Sequence, residues 1–190
     1  MVRRYFDLKI DVYVKGRWYL SEPTDLSGRQ IDDIWQFLDG RRIADPGPLS
    51  IPLSRPGKAL DIDFAGAGQA PIVNALVARV FRDLAPNDVQ LFPVKIEGQA
   101  EPFFLLNVTR TVRAIDDAAC EEARRWAPED DEPEKVGQYH VVSGLRIDKA
   151  KVESERVFRL WGWPLPIVVD EEIKEALERV GASGARFDEV

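Results

Sequence analysis

The stretch Asp88 to Ala114, DVQLFPVKIEGQAEPFFLLNVTRTVRA, constrains the fold more than any other part of the chain. It reads as two apolar strands turned back on each other across Glu97 to Pro102. In the first arm Val89, Leu91, Pro93 and Lys95 point to one face, and Gln90, Phe92, Val94 and Ile96 to the other. The second arm, Phe103 to Val108, is apolar on both faces. A strand of that kind must be covered on both sides. The hairpin therefore belongs in the middle of a core, with helices or a second layer packed over it.

The rest of the chain is sized for one such core. A chain of 190 residues folding as a single domain buries roughly 70% of the surface exposed by its unfolded form. We expect residues 1–190 to form one α+β domain, a mostly antiparallel sheet centred on the 88–114 hairpin and covered by helices near 72–84 and 171–180. Cys120 is the one cysteine, which rules out an internal disulfide and points to a reducing compartment. Asp7, Lys9 and Asp11 interrupt what would be the apolar core of an export signal after Arg3-Arg4. No apolar run approaches a membrane span, so the cytoplasm is the expected location. The net charge is −7, from 26 basic and 33 acidic residues. Basic residues cluster only as the pairs Arg3-Arg4, Arg41-Arg42 and Arg124-Arg125. This balance disfavours direct nucleic-acid binding and favours a basic protein partner.

In chain order, Tyr5 to Val14 alternates toward a strand, and Gly16 to Leu20 continues it, with a hairpin around Lys15-Gly16. Ile31, Ile34, Trp35 and Leu38 have helical spacing and predict a short helix ending at Gly40, although Trp35 and Phe37 also alternate as in a strand. Three prolines reduce Leu49 to Pro56 to edge structure. Ala59 to Phe64 is a brief strand, followed by Gly66-Ala67-Gly68, and Pro71 is expected to open a helix over Ile72 to Leu84. Ala118 to Trp126 is expected to be helical or irregular. Two strands, Tyr139 to Val142 and Leu145 to Ile147, flank Ser143-Gly144, and Val157 to Leu160 extends before the bend Trp161-Gly162-Trp163-Pro164. Asp170 caps a last helix that stops at Gly181.

Few residues invite chemistry. The order strand, Gly66-x-Gly68, helix imitates a dinucleotide-binding turn, but Pro71 occupies the third glycine position, and no acid follows a second parallel strand. His140, the single histidine, has no companions at metal-ligand or triad spacing. Asp61, Asp63, Asp116 and Asp117 suit turn and capping duties better than a cation site. We assign no catalytic, cofactor-binding or metal-binding residue. The strongest candidate is the run Glu129, Asp130, Asp131, Glu132, Glu134, which has no apolar periodicity and should be an exposed acidic loop able to steer a basic partner. Trp161 and Trp163 beside their bend have the look of an interface anchor.

Taken in order, Ala59-Leu60-Asp61-Ile62-Asp63-Phe64, Pro71-Ile72-Val73, Val89 to Val94, Leu105 to Val108 and Ala114-Ile115-Asp116 resemble the eleventh immunity-protein family of bacterial polymorphic toxin systems. The closing Val168 to Leu177 and Gly184 to Asp188 look like that family's tail. The resemblance spans nearly the whole chain and is vaguest from Trp35 to Pro48. Cys120 stands where the family usually carries serine. What the resemblance implies is a non-enzymatic cytoplasmic antidote that binds a cognate toxin, often a histidine-rich, metal-dependent nuclease. The residues leave two rival readings open, a regulator or adaptor for another basic protein and a small enzyme. They also leave the oligomeric state open.

Overall fold

The structure, a computed structural model, describes residues 3–190. Two sheets carry the fold. The six-stranded sheet runs, in spatial order, Thr24–Asp25, Leu49–Ile51, Val89–Ile96, Phe103–Val108, Ala70–Asn74, Ile62–Ala65. The five-stranded sheet runs Thr111–Val112, Val157–Leu160, Trp163–Asp170, Tyr5–Ile10, Ala185–Glu189. All pairs are antiparallel except Leu49–Ile51 on Val89–Ile96 and Thr111–Val112 on Val157–Leu160. The fold is the expected α+β arrangement.

The central hairpin forms with Val89 opposite Val108 and Val94 opposite Phe103. Its alternation sorts side chains as the sequence requires. Val89, Leu91, Phe104, Leu106 and Val108 enter one cluster, whereas Phe92, Val94, Ile96, Phe103 and Leu105 enter another with Trp18, Phe37, Leu60 and Ile72. Two helices, α1 (Ala75–Leu84) and α2 (Glu171–Arg179), cover the first face. Val77, Val80 and Phe81 of α1 meet Ile173 and Leu177 of α2 over Phe6, Leu8, Ile167 and Val169 of the five-stranded sheet. A third cluster, including Tyr5, Phe158, Leu160 and Val168, covers the opposite face of that sheet. At about 1.5–3 kcal/mol per buried large apolar side chain, these contacts, and not local propensity, hold helices of only nine and ten residues in place.

Several expectations need correction. Pro71 opens no helix. It lies in the strand Ala70–Asn74, just outside the part paired with Phe103–Val108, where a missing N–H costs no ladder bond on that side. The helix starts after Asn74, whose side chain accepts from Val77 N at 3.0 Å. Only one 3-10 turn, Gln36–Leu38, forms where a helix ending at Gly40 was expected, and Trp35 is left exposed. Gly40 does turn the chain with φ +60°, in a place where a Cβ would strike Thr111 Oγ1. Leu49–Ile51 is an interior strand despite the nearby prolines, because Pro52 falls between it and Leu53–Arg55. Tyr19–Leu20 pairs with Leu53–Arg55 and not back onto Tyr5–Ile10. Glu122–Arg125 is a strand, and Leu145 to Ile147 contributes only an isolated bridge to Ile115.

A charged latch ties the helix layer to the sheets. Asp170 is fully buried, and its carboxylate accepts from Ile173 N at the start of α2 (3.0 Å) and from Arg156 Nε (2.7 Å). Arg156 also donates to Glu172 and to Leu84 O at the end of α1 (3.1 Å). Asp88 accepts from Arg156 N (2.8 Å) and Arg110 Nε (3.1 Å). At the other end of the five-stranded sheet Arg159, 1% exposed, donates to the carbonyls of Pro164 (3.1 Å), Leu165 (2.8 Å) and Phe37 (3.1 Å). This side chain fastens the 3-10 turn to the strands. Burial pulls its pKa down to about 9, opposed by the nearby Asp7 carboxylate, whose own pKa burial raises.

Candidate functional site

The residues singled out in the sequence gather around one hairpin. Glu122–Arg125 pairs antiparallel with Tyr139–Ser143, and the acidic run is the loop between them. The loop closes where Trp126 N donates to Gln138 O (2.9 Å) and Gly137 N donates to Trp126 O (3.0 Å). Two 3-10 turns, Pro128–Asp130 and Pro133–Lys135, shape it, each started by a proline that has no N–H to lose. Asp131, between them, takes the left-handed conformation with φ +57°. Glu129, Asp130, Asp131 and Glu134 are exposed and Glu132 is half-buried, as an acidic loop should be.

The five carboxylates are not equivalent. Asp130 accepts from Ala127 N at 2.8 Å and holds the first turn. Glu132 pairs with Lys135 at 3.2 Å, and a hydrogen bond with Glu134, together with Lys135, holds its carboxyl below the usual range. Glu129 and Asp131 are the carboxylates available to a partner, since no side chain or backbone group among the described residues bonds to either, whereas Glu134 is engaged with Glu132. Behind them lies a stack that sequence reasoning missed. The Trp126 ring lies against His140 with centroids 3.7 Å apart and planes at 19°, and Lys135 Nζ sits 5.1 Å from the Trp126 centroid.

A clamp at the base fixes the direction of the hairpin. The Tyr139 hydroxyl donates to Asp117 and accepts from Arg125 Nη2 at 2.9 Å, and Arg125 also pairs with Asp117 at 3.0 Å. Tyr139 N donates to Gly162 O at 3.0 Å. Gly162, with φ +74°, packs so closely that a Cβ would come within 3.3 Å of Gln138 Cα and the Tyr139 ring. The base of the acidic loop and the tryptophan bend are thereby joined. Trp161 is half-buried beneath the Arg113 guanidinium, 3.7 Å from its ring centroid, while Trp163 packs against the third core cluster. No periodicity in Glu121 to Trp126 announces a strand, so nothing in the sequence paired Trp126 with His140 or Asp117 with Tyr139.

The clamp has a pH signature. The Tyr139 hydroxyl first, and Arg125 after it, hold the Asp117 carboxyl below its ordinary 3.8. Its contribution is full above that value and fades as pH falls through the lowered folded-state pKa. Burial and then the Asp117 hydrogen bond push Tyr139 from 10.0 up to about 12. That contribution is full below pH 10.0 and disappears as pH rises through about 12. Ultraviolet titration should show a late-ionising tyrosine that Tyr139→Phe removes. The stability gap between wild type and Asp117→Asn should close at acid pH, and a constant gap would contradict this reading.

The other chemical candidates have structural duties. Asp61 accepts from Asn74 Nδ2, Ser183 N and Ser183 Oγ, each at 2.7 Å, and so orients the cap of α1. Asp63 is buried beside Arg17 at 3.5 Å, and burial raises its pKa. Asp116 accepts from Ala118 N and Ala119 N. The turn that imitates a phosphate cradle is already occupied, because the Glu22 carboxylate takes the N–H groups of Ala67 and Gly68. Pro71 lies in the returning strand of a β-hairpin there, so the βαβ geometry of a dinucleotide site is absent. Among the described residues no group of three or more His, Cys, Asp or Glu side chains could hold a metal ion. No helix among them is long and apolar enough to cross a membrane.

No curated protein sequence matches the chain. A model of the Imm11 immunity protein family matches residues 65–190. That span contains the central hairpin, both helices, the acidic loop and the tryptophan bend, and it leaves out Ala59 to Phe64, on which the resemblance also rested. Since the match covers more than half of the chain, this protein belongs to the Imm11 family of immunity proteins.

Proposed function

We propose that the protein neutralises a cognate toxin, a nuclease, by laying the Glu129 to Glu134 loop and the adjoining Trp161 and Trp163 bend over the toxin's active or substrate-binding surface. Residues 1–190 act as one immunity-type unit, without catalysis of their own, in the cytoplasm where the toxin would act. The observation that carries this reading is an acidic loop mounted on a clamped hairpin. A nuclease must present basic side chains to phosphates, so a rigid acidic projection is complementary to the surface that needs blocking. Preorganisation matters because a loop already ordered loses less entropy on docking. Family membership supports the immunity role, and the net charge of −7 supports a basic partner.

The test is association with the toxin encoded beside this protein's gene. The variant Glu129→Gln/Asp131→Asn removes the free charges, spares Asp130 and the group of Glu132, Glu134 and Lys135, and keeps a residue suited to the left-handed position at 131. Its association rate should fall about tenfold or more at low salt, with a flatter salt dependence and a smaller change in dissociation rate. Unchanged association at every salt concentration would reduce the loop to a solubility device. A bound toxin whose substrate is not a nucleic acid would overturn the nuclease assignment alone.

A further inference from the structure

We propose that the outer edge of the strand Ala185–Glu189 is a docking site for the same strand of a second copy of this chain, joined antiparallel about a two-fold axis at Phe187. The hydrogen bonds that flank the strand fix which of its backbone groups are spare. Val190 N donates to Tyr5 O (3.1 Å), and Asp11 N donates to Gly184 O (2.8 Å). In the antiparallel register that runs between these two bonds, Asp7 lies opposite Asp188 and Lys9 opposite Arg186. Gly184, Arg186, Asp188 and Val190 therefore turn their N–H and C=O groups toward Tyr5–Ile10. Ala185, Phe187 and Glu189 turn theirs outward. Among the described residues one group bonds to these, the Arg146 guanidinium, which donates to Glu189 O (3.1 Å). That oxygen keeps a second lone pair. The other edges of the two main sheets are closed by the chain itself. Thr24–Asp25 turns back on Arg29 and Gln30. Beside Ile62–Ala65, Ile62 N donates to Ser183 O and Gly66 N to Leu20 O. Thr111–Val112 is two residues long, and Thr111 Oγ1 donates to Gly40 O. An edge left open is a template for another strand.

Register and charge identify the occupant. For the outward groups to meet their equivalents, an antiparallel second copy can be centred on Arg186, Phe187 or Asp188. Centring on Arg186 sets that residue against its own equivalent, and centring on Asp188 does the same there. Like charges directly opposite are destabilising. Centring on Phe187 instead matches Ala185 with Glu189, engages every outward group of the strand, and sets each Arg186 opposite Asp188 of the second copy. Both side chains are reachable, at 51% and 37% exposure, and the pairs they already make survive. Asp188 keeps Lys9 at 2.8 Å, and its pair with Arg186 at 3.2 Å widens into a ring shared by the two copies. On the opposite face of the strand Phe187 is half-buried against the first core cluster, so two facing Phe187 rings continue the apolar layer across the axis. A foreign strand would have to repeat this order of charge and ring, which a second copy supplies by symmetry as an isologous contact. A strand of five residues offers less than the ~800 Å² per partner of a standard interface. The dimer is accordingly weak and concentration-dependent.

Sedimentation of the intact protein from about 10 μM to 1 mM should show wild type moving toward dimer. Over the same range amide exchange should slow at Ala185, Phe187 and Glu189, a readout that needs no variant to fold. Arg186→Asp and Asp188→Arg each set like charges opposite one another across the axis and should raise the dissociation constant about tenfold or more. The double variant Arg186→Asp/Asp188→Arg restores opposite charges at unchanged net charge and should return self-association toward the wild-type level. A wild type that stays monomeric over the whole range, or that dimerises without slower exchange at these three amides, overturns the proposal. A double variant as weak as the single ones overturns the register centred on Phe187. If wild type is monomeric and the toxin protects the three amides, the proposal falls and the edge belongs to a strand of the toxin.

Discussion

Replacing Arg159 with methionine should lower the stability of the protein by about 3–5 kcal/mol, the cost of leaving three buried carbonyls without a donor, less the desolvation that the guanidinium no longer bears. The substitution keeps much of the side-chain volume, so the loss is not mainly a cavity effect. It leaves the carbonyls of Phe37, Pro164 and Leu165 without their donor in a site closed to water, each at about 1–3 kcal/mol. The buried Asp7 carboxylate keeps its ion pair with Lys9 at 3.3 Å and loses only the weaker attraction of the more distant guanidinium. For a chain of this length the melting temperature should fall by about 6–20 °C. Asp7→Asn removes the carboxylate whose field favours the Arg159 charge, so the double variant should lose less than the sum of the two single variants, as coupled groups do. Urea unfolding of the four proteins measures this coupling, and strict additivity would show that Asp7 and Arg159 act independently.

The second large effect is expected at Asp170. Asp170→Ala removes the cap of α2 and one anchor of Arg156 together. The cap alone contributes about 1 kcal/mol. The stranded guanidinium adds to this but keeps Glu172 and Leu84 O, so the total should be about 2–4 kcal/mol. Asp170→Asn can still accept from Ile173 N and should cost clearly less. Hydrogen exchange should quicken first in the opening turn of α2, and protection there equal to wild type would mean that the helix is held by its apolar face alone.

Both sites show where the sequence is readable and where it is silent. The hairpin from Val89 to Val108 is legible because its period of two fixes which side chains share a face, whatever lies beyond them. Asp170 is legible because an N-cap is a local event completed within three residues. The partners of Arg159 are not legible. Nothing in Val157-Phe158-Arg159-Leu160 marks the charge as inward-facing, since its acceptors lie on the 3-10 turn at Phe37 and on the next strand. Pro71 misleads for a related reason, because a proline before a helical stripe suits a helix start just as it suits the end of a preceding strand. The acidic loop was visible as composition. The hairpin that carries it was not, as Glu122–Arg125 has neither alternation nor β-branched residues to set it apart from a turn.

The clamp of Asp117, Arg125 and Tyr139 lies outside the loop that it orients, and no side chain of residues 127–137 enters any of the three core clusters. Mutational drift can therefore rewrite the tip in length or sign while thermal robustness is left untouched. A lineage facing a changed adversary could retool its recognition segment cheaply, and transplanting that segment between relatives should carry target choice with it.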